Sequence, residues 1–158
     1  MTTTEKFEKF NGILDGEGIR ASLVYLLGLT DYRFISIFRF DGDKVRSVVH
    51  YDVDAPQVLA TEEEAIDSTY CCYVRDTQGL FTTANAFLDD RLGDHAKRPT
   101  LSAYCGYPVM DSEGRVEGTL CHYDVVPRDP GQIDMELMLL VCSAIQQRGK
   151  IPAYPAPD

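Results

Sequence analysis

The segment from Tyr32 to Phe40 reads YRFISIFRF, and it limits the possible folds more than any other part of the chain. Its phenylalanines occupy even-numbered positions, and its isoleucines occupy the odd-numbered positions between them. Because side chains of a β-strand point alternately to opposite faces, this pattern places apolar groups on both faces. It predicts a strand that other layers of the protein cover on both sides.

A hairpin is predicted directly after this strand. Asp41-Gly42 is typical of a tight turn between antiparallel strands. The return strand, residues 44–51, alternates between apolar side chains and charged or polar ones. The first set is Val45, Val49 and Tyr51, and the second is Lys44, Arg46 and His50. This alternation predicts an edge strand with one solvated face, with His50 in solvent.

The ends of the chain carry apolar residues at helical spacing. Helices are predicted over residues 5–15, 19–27 and 132–148, and short strands over 70–74, 80–83, 101–109 and 115–124. Together these elements predict an α+β fold. Its centre is an antiparallel sheet of five or six strands, with terminal helices on one face and a lid of loops and short helices on the other. A cavity between sheet and lid is the expected binding site.

The length of 158 residues suits a single domain with one core. We predict a helical extension at residues 1–15, the domain at 16–148 and a proline-rich tail at 149–158. The last helix has a wider apolar arc than one sheet face covers, which favours a homodimer formed through the terminal helices.

Composition excludes several classes of function. A net charge of −10 argues against nucleic acid as a partner, because a phosphate backbone attracts basic surfaces. No apolar run approaches the ~20 residues of a membrane span, so no membrane partner is expected. The first ten residues, MTTTEKFEKF, lack the apolar core of a signal peptide, which predicts a cytoplasmic protein with reduced thiols.

Several strings resemble the GAF domain family. They are Tyr32–Phe40 with Asp41-Gly42-Asp43, then Ser68-Thr69-Tyr70-Cys71, Tyr104–Val109, Asp111-x-x-Gly114, and Gly118–Asp124. The resemblance covers roughly residues 16–147. It implies a small-molecule sensor module that forms a dimer through its terminal helices and signals to a separate effector.

The resemblance also narrows the possible cofactors. The Asn-Lys-Phe-Asp-Glu string of cyclic-nucleotide GAF domains does not occur, and Cys121-His122 lies in a predicted strand rather than at a bilin attachment site. Haem or bilin is therefore not supported by the motifs, and the cofactor stays unknown. The chain also lacks the Ala-Cys-Asp string of free methionine-(R)-sulfoxide reductases, which share this fold.

Five cysteines carry the main chemical alternatives. Cys71, Cys105 and Cys121 fall in separate predicted strands, and alternation places Cys71 and Cys72 on opposite faces. One interpretation is that all are small apolar core residues, as Cys142 on the last helix is predicted to be. The other is that Cys71, Cys105 and Cys121 converge as a redox pair, a reductase centre or a soft-metal site. No C-x-x-C or H-E-x-x-H string predicts a metal centre.

Aromatic and cysteine side chains near the sheet and lid are the predicted ligand contacts, since aromatic rings that carry a hydroxyl bind planar ligands by stacking and hydrogen bonding. The set is Tyr70, Cys71, Phe87, Tyr104, Cys105 and Cys121. His122 is expected to be a hydrogen-bonded core residue and His95 an exposed loop residue. The leading prediction is a small-molecule sensor, with enzymatic activity uncertain. The alternative is a thiol-dependent oxidoreductase acting on a small oxidised substrate such as free methionine sulfoxide.

Overall fold

A computed structural model describes residues 1–151; most of the predicted tail, from residue 152 onward, lies outside the described residues. Four helices and six strands follow one another along the chain. They are α1 (Thr3–Glu17), α2 (Ile19–Gly28), β1 (Phe34–Asp41), β2 (Lys44–Asp52), β3 (Glu64–Ala65), α3 (Cys71–Thr77), β4 (Phe81–Thr83), β5 (Ala103–Met110), β6 (Val116–Asp124) and α4 (Met135–Gln147).

The six strands form one sheet in the order β3-β2-β1-β6-β5-β4, and every neighbouring pair is antiparallel. β1 lies near the middle, between the hairpin partner β2 and the late strand β6. This confirms the predicted α+β fold and the strand covered on both faces. None of the helices in the described part of the chain combines the length and apolar character needed to cross a bilayer.

Helices α1, α2 and α4 pack on one face of the sheet. Phe10 and Leu14 of α1 are buried in this layer, as are Ile35 and Ile37 of β1. Thr2 caps α1 by accepting a hydrogen bond from the Glu5 amide at 3.1 Å. The helical residues therefore form one continuous core with the sheet.

Helix α4 buries both apolar stripes of its arc within its own chain, so the expectation that the arc is wider than one sheet face covers is wrong. Its buried residues are Leu137, Met138, Val141, Cys142, Ala144 and Ile145. Cys142 is thus a core residue, as predicted. Asp134 caps the helix by accepting a hydrogen bond from the Leu137 amide at 3.0 Å. The apolar residues left exposed on α4 are Met135, Leu139 and Leu140.

The opposite face of the sheet carries α3 and short helical turns. The prediction of a strand at residues 70–74 is wrong, because this segment begins α3. Cys71, Cys72 and Val74 are all buried, since a helix wrapped by loops has several covered sides. The argument that Cys71 and Cys72 point to opposite faces of a sheet therefore does not apply.

A β-bulge in β2 changes which residues share a face. Ile37 pairs with Val49, whereas Phe38 pairs with Ser47, so Val48 is an extra residue. Val49 consequently packs in the helix layer and Val45 in the lid layer. The prediction that they share a face is wrong, and so is the prediction that His50 is solvated, because His50 is buried against β1.

Candidate functional site

A cavity of about 430 Å³ lies between the lid and its face of the sheet. Strands β1, β2, β3, β5 and β6 supply one wall, and α3 with the segments before α3, before β5 and after β6 supplies the rest. The lining residues are Phe34, Phe38, Val45, Thr61, Glu62, Glu64, Thr69, Tyr70, Cys71, Lys97, Thr100, Leu101, Tyr104, Tyr123 and Val125. This volume falls within the range typical of small-molecule sites.

Cys71 is the nucleophilic side chain of this cavity. Tyr104 Oη donates a hydrogen bond to Cys71 Sγ at 3.4 Å, and Thr119 Oγ1 lies 3.4 Å from the same sulfur. Cys121, two residues beyond Thr119 on β6, lies beside Cys71, and its thiol donates a hydrogen bond to the Ser36 carbonyl at 3.7 Å. The sheet therefore surrounds one thiol with hydroxyl and thiol groups.

The glycine at position 106 explains how Tyr104 reaches Cys71. These two residues of β5 share a face, and a Cβ at position 106 would collide with the Tyr104 ring and hydroxyl. Only glycine leaves this space open, so the ring can lie along the strand toward α3. A glycine two residues after Tyr104 is therefore required for the Tyr104 hydroxyl to reach Cys71.

The thiols of this protein differ in acidity. Hydrogen bonds from Cys121, Thr119 and Tyr104 lower the pKa of Cys71, against a burial effect that raises it. Burial raises the pKa of Cys72 to about 11, of Cys105 to about 11 and of Cys142 to about 12. Burial also raises the pKa of Cys121 well above its usual range. Cys71 is therefore the thiol best able to form a thiolate.

Aromatic rings from β1 and β6 form the opposite wall of the cavity. Phe34 and Tyr123 stack with centroids 4.8 Å apart, and Phe38 tilts against Tyr123 at 6.4 Å. The Tyr123 hydroxyl is held by Ser36 Oγ at 2.9 Å, and Ser36 in turn contacts His50 Nδ1 at 2.8 Å. This trio fixes the orientation of the Tyr123 ring.

Charged side chains from the two long loops stand on the remaining side of the cavity. Lys97 Nζ forms an ion pair with Glu64 Oε1 at 2.7 Å. Glu62 also lines the cavity, and it has no ion-pair partner within residues 1–151. The charge of this side is therefore negative, with two carboxylates against one ammonium.

His95 is partly buried and forms hydrogen bonds with backbone groups of the lid, which corrects the prediction that it is an exposed loop residue. Its Nδ1 accepts a hydrogen bond from the Lys97 amide at 3.0 Å, so in the neutral ring the proton is on Nε2. Nε2 then donates to the Thr69 carbonyl at 3.1 Å. The ring also lies against Tyr70, with centroids 4.9 Å apart. Both ring nitrogens are thus used within the lid.

The structure separates the sequence-predicted site residues into three groups. Tyr70, Cys71 and Tyr104 line the cavity, and Cys121 lies behind Cys71. Cys105 lies on the opposite face of β5, in the helix-side core, because alternation turns it away from its neighbour Tyr104. Phe87 is 58% exposed and is not among the lining residues. Two of the three candidate redox cysteines are therefore together, and the third is not.

Several lining residues were not predicted from the sequence. Phe34, Phe38 and Tyr123 come from strands whose alternation was recognised, so the face shared by the phenylalanines of β1 was an available signal. Glu62 and Lys97 lie in irregular segments, and Glu64 lies in the two-residue strand β3, which is too short to show a periodicity. Only the folded loops bring these charges to the cavity.

The cavity residues do not fit a tetrapyrrole. No histidine lines the cavity within the described part of the chain, and both nitrogens of His95 are already bonded. His122 is buried beneath the helices, with no hydrogen-bond partner for either nitrogen among residues 1–151; this corrects the expectation that it is hydrogen-bonded. Cys121 is fully enclosed behind Cys71. Over the same residues, no group of three or more His, Cys, Asp or Glu side chains is arranged to hold a metal.

Comparison with known proteins identifies the fold. No family model matches the chain. The structure is similar to the GAF domain of an Acinetobacter phosphoenolpyruvate-protein phosphotransferase, with a TM-score of 0.73, 12% identity and 93% of each chain covered. It is also similar to a free methionine-R-sulfoxide reductase from Neisseria meningitidis, with a TM-score of 0.71, 12% identity, 92% of this chain covered and 87% of that one.

One curated sequence, a cyclic di-GMP phosphodiesterase from Pseudomonas aeruginosa, is 35% identical over 65 residues. That alignment covers 39% of this chain and 11% of the phosphodiesterase, so it matches a small part of a much longer protein. The chain has the fold of a GAF domain, as its sequence motifs predict.

Proposed function

We propose that this protein is a small-molecule-binding sensory module whose ligand occupies the cavity between the sheet and the lid. The observation that carries the proposal is the cavity itself, about 430 Å³ in volume and walled by aromatic rings on a GAF-type sheet. A mostly apolar cleft of this size with a few polar groups on its lining is the usual form of a small-molecule site.

A calorimetric and thermal-shift screen of metabolites tests this function. A ligand that binds only the folded state must raise the unfolding temperature. Thr100→Trp places a large ring at an exposed lining position, and Thr4→Trp places the same ring on the exposed side of α1 as a matched control. We expect binding to be lost in the first variant and kept in the second. Equal binding by both variants would place the ligand elsewhere.

The exposed apolar side chains of α4 support a homodimer that transmits the signal to an effector. Leu139 is 58% exposed and Leu140 is 40% exposed, on a helix whose other apolar residues, apart from Met135 at its first position, are buried in its own core. Leu139→Glu is expected to convert a dimer into a monomer in light-scattering measurements, because it places a charge in the interface. Glu136→Lys, on the exposed surface of the same helix, is the control for charge reversal. A wild-type monomer would contradict this part of the proposal.

A second candidate function is a thiol-dependent reductase for a small sulfoxide. The contact between Cys71 and Cys121 favours it, together with the lowered pKa of Cys71. The Cys71 thiolate would attack the sulfoxide, its oxygen would pass to the Cys71 sulfur as a sulfenic acid, and a thioether would leave. The Cys121 thiol would then form a disulfide with Cys71 and release water. Two electrons thus pass from the dithiol to the substrate, and an external thiol restores the dithiol.

Turnover of free methionine sulfoxide with dithiothreitol distinguishes the two functions. The reductase mechanism predicts methionine formation by the wild type and by Cys72→Ser, and none by Cys71→Ser. Cys72 is the matched control, because it is adjacent in sequence and outside the cavity lining. No turnover by the wild type would eliminate this second candidate.

A further inference from the structure

Most of the hydroxyl donors on the cavity lining are already used within the protein. The Tyr70 hydroxyl donates to the Leu101 carbonyl at 2.8 Å, and the Thr69 hydroxyl donates to the Ile66 carbonyl at 2.9 Å. Tyr104 donates to Cys71, and Thr100 donates to the Lys97 carbonyl at 3.4 Å. A ligand that needs donors from this lining therefore finds few of them.

Two further hydroxyls line the cavity, those of Tyr123 and Thr61. The Tyr123 hydroxyl belongs to the trio with Ser36 and His50. Of the lining hydroxyls, that of Thr61 alone has no hydrogen-bond partner within residues 1–151. The lining is consequently poor in the groups that recognise phosphates and carboxylates, since anion sites supply several free N–H or O–H donors.

Lys97, the one cation that lines the cavity among residues 1–151, is neutralised. Lys97 is paired with Glu64 at 2.7 Å, so it brings no net positive charge to the cavity. Glu62 remains as a carboxylate without an ion-pair partner in the described part of the chain. An anionic ligand would be repelled by Glu62, whereas a cationic ligand would gain its attraction.

The aromatic wall provides the second attraction for a cation. Rings carry negative charge on their faces, and a cation within about 6 Å of a ring centroid is attracted to it. Phe34, Phe38, Tyr70, Tyr104 and Tyr123 all line the cavity. Phe34 already contacts one cation, the Arg33 guanidinium 4.6 Å from its centroid, and it also stacks on Tyr123 at 4.8 Å. The attraction for a ligand cation therefore comes from the other rings of the wall.

We propose that the cavity binds an organic cation, an apolar body that carries a quaternary or protonated ammonium group. This inference rests on the proposed sensory function and names its ligand class. The ammonium group lies against the aromatic rings on the side of Glu62, and the apolar part lies against Val45 and Leu101. The lining hydroxyls that already donate to protein groups keep those hydrogen bonds when such a ligand binds, because an ammonium ligand does not need them as donors.

The test compares a cation with its neutral isostere. Calorimetry is performed with tetramethylammonium, choline and benzyltrimethylammonium, with 3,3-dimethyl-1-butanol as the carbon analogue of choline, and with adenosine monophosphate as the anionic arm. We expect at least one ammonium compound to bind, and choline to bind about tenfold more tightly than its carbon analogue. Choline affinity is expected to fall between about 50 mM and about 500 mM salt, while that of the carbon analogue is unchanged.

Two neighbouring carboxylates give a matched pair of variants. Glu62→Gln removes the unpaired lining charge, and it is expected to weaken choline binding by about three- to tenfold without changing the binding of the carbon analogue. Glu63→Gln is the control, because Glu63 pairs with Lys44 at 3.5 Å and does not line the cavity. Phe38→Leu, which keeps apolar volume but removes a ring, is expected to weaken choline more than the carbon analogue.

The outcomes separate this inference from the function on which it rests. Equal affinity for choline and its carbon analogue, tighter binding of adenosine monophosphate, or no binding of any ammonium compound would each overturn the cation proposal. In each case the sensory function would stand if the wider metabolite screen finds a ligand that Thr100→Trp blocks. It would fall with the cation proposal if that screen finds none.

Discussion

The Tyr104 hydroxyl donates a hydrogen bond to Cys71 Sγ across the interface between β5 and α3, at 3.4 Å. The two residues are 33 positions apart in the chain. This contact joins a sheet residue to the first residue of the lid helix, and it supplies a proton donor to the thiol that lines the cavity. The acidity of Cys71 is therefore a property of the assembled site.

Tyr104→Phe removes this donor and should raise the pKa of Cys71, because the thiolate loses one of its hydrogen bonds. The rate of alkylation by iodoacetamide at pH 7 should fall several-fold, with the pH profile displaced upward. Peptide mapping checks this, with Cys72, Cys105 and Cys142 as internal controls whose raised pKa values keep them slow. Faster labelling of any of these three in the wild type would contradict the assignment.

Gly106→Ala should destabilise the protein by more than about 2 kcal/mol, because the new Cβ collides with the Tyr104 ring. Gly12→Ala is the comparison, since a Cβ there meets nothing within 4 Å and lies inside α1. It should stabilise the protein by about 0.5–1 kcal/mol. Urea unfolding measures both changes. A neutral result for Gly106→Ala would mean that the Tyr104 ring lies elsewhere.

Stability should fall as the pH is lowered from about 6.5 to about 4, because His122 is buried as the neutral ring. Burial lowers its pKa to about 4, below the value of about 6.5 in an unfolded chain. The unfolded state therefore binds more protons in this range. The loss approaches about 3 kcal/mol at the acidic end. His50, whose pKa burial also lowers, contributes in the same direction.

His122→Met distinguishes this effect from other titrations. It should flatten the dependence of unfolding free energy on pH, leaving the smaller contribution of His50. At pH 7 it should be neutral or stabilising, because neither ring nitrogen of His122 has a hydrogen-bond partner among residues 1–151. An unchanged pH slope would mean that His122 is not the group responsible.

Asp52→Asn should cost about 2 kcal/mol at pH 7, because Arg33 holds the buried Asp52 carboxylate with two hydrogen bonds, at 2.9 and 3.0 Å. These bonds lower the pKa of Asp52, so their stabilisation is present at neutral pH and is lost as the pH falls below about 3.9. The variant and the wild type should therefore converge in acid. Asp54→Asn, an exposed neighbour of Arg33, should change stability by less than about 0.5 kcal/mol.

Periodicity predicted the parts of the fold in which a residue's environment follows from its position in one element. The alternation of β1 placed its phenylalanines and isoleucines on the correct opposite faces. In α4 the periodicity identified the apolar residues that are buried, but not what covers them, because the core of the same chain takes both stripes. In both elements a regular backbone repeats from one residue to the next, so the pattern of apolar residues is sufficient.

Prediction failed where tertiary contacts override the local pattern. Residues 70–74 have the aromatic and branched composition of a strand, yet they begin a helix whose sides are covered by loops. Cys105 was grouped with Cys71 and Cys121 because all three seemed to belong to strands, but the pleat turns Cys105 to the helix side. The charged residues of the cavity belong to loops and to the two-residue strand β3, whose positions no short-range pattern encodes.

The extra residue at position 48 divides β2 into two halves with opposite phase. The half next to the turn supplies Val45 to the cavity wall, and the half next to the long loop supplies His50 to the support of Tyr123. Removing one residue from this strand would invert one of the halves and turn a charged neighbour such as Lys44 inward. Changes in strand length, more than changes in side chain, would therefore exchange an apolar cavity wall for a charged one.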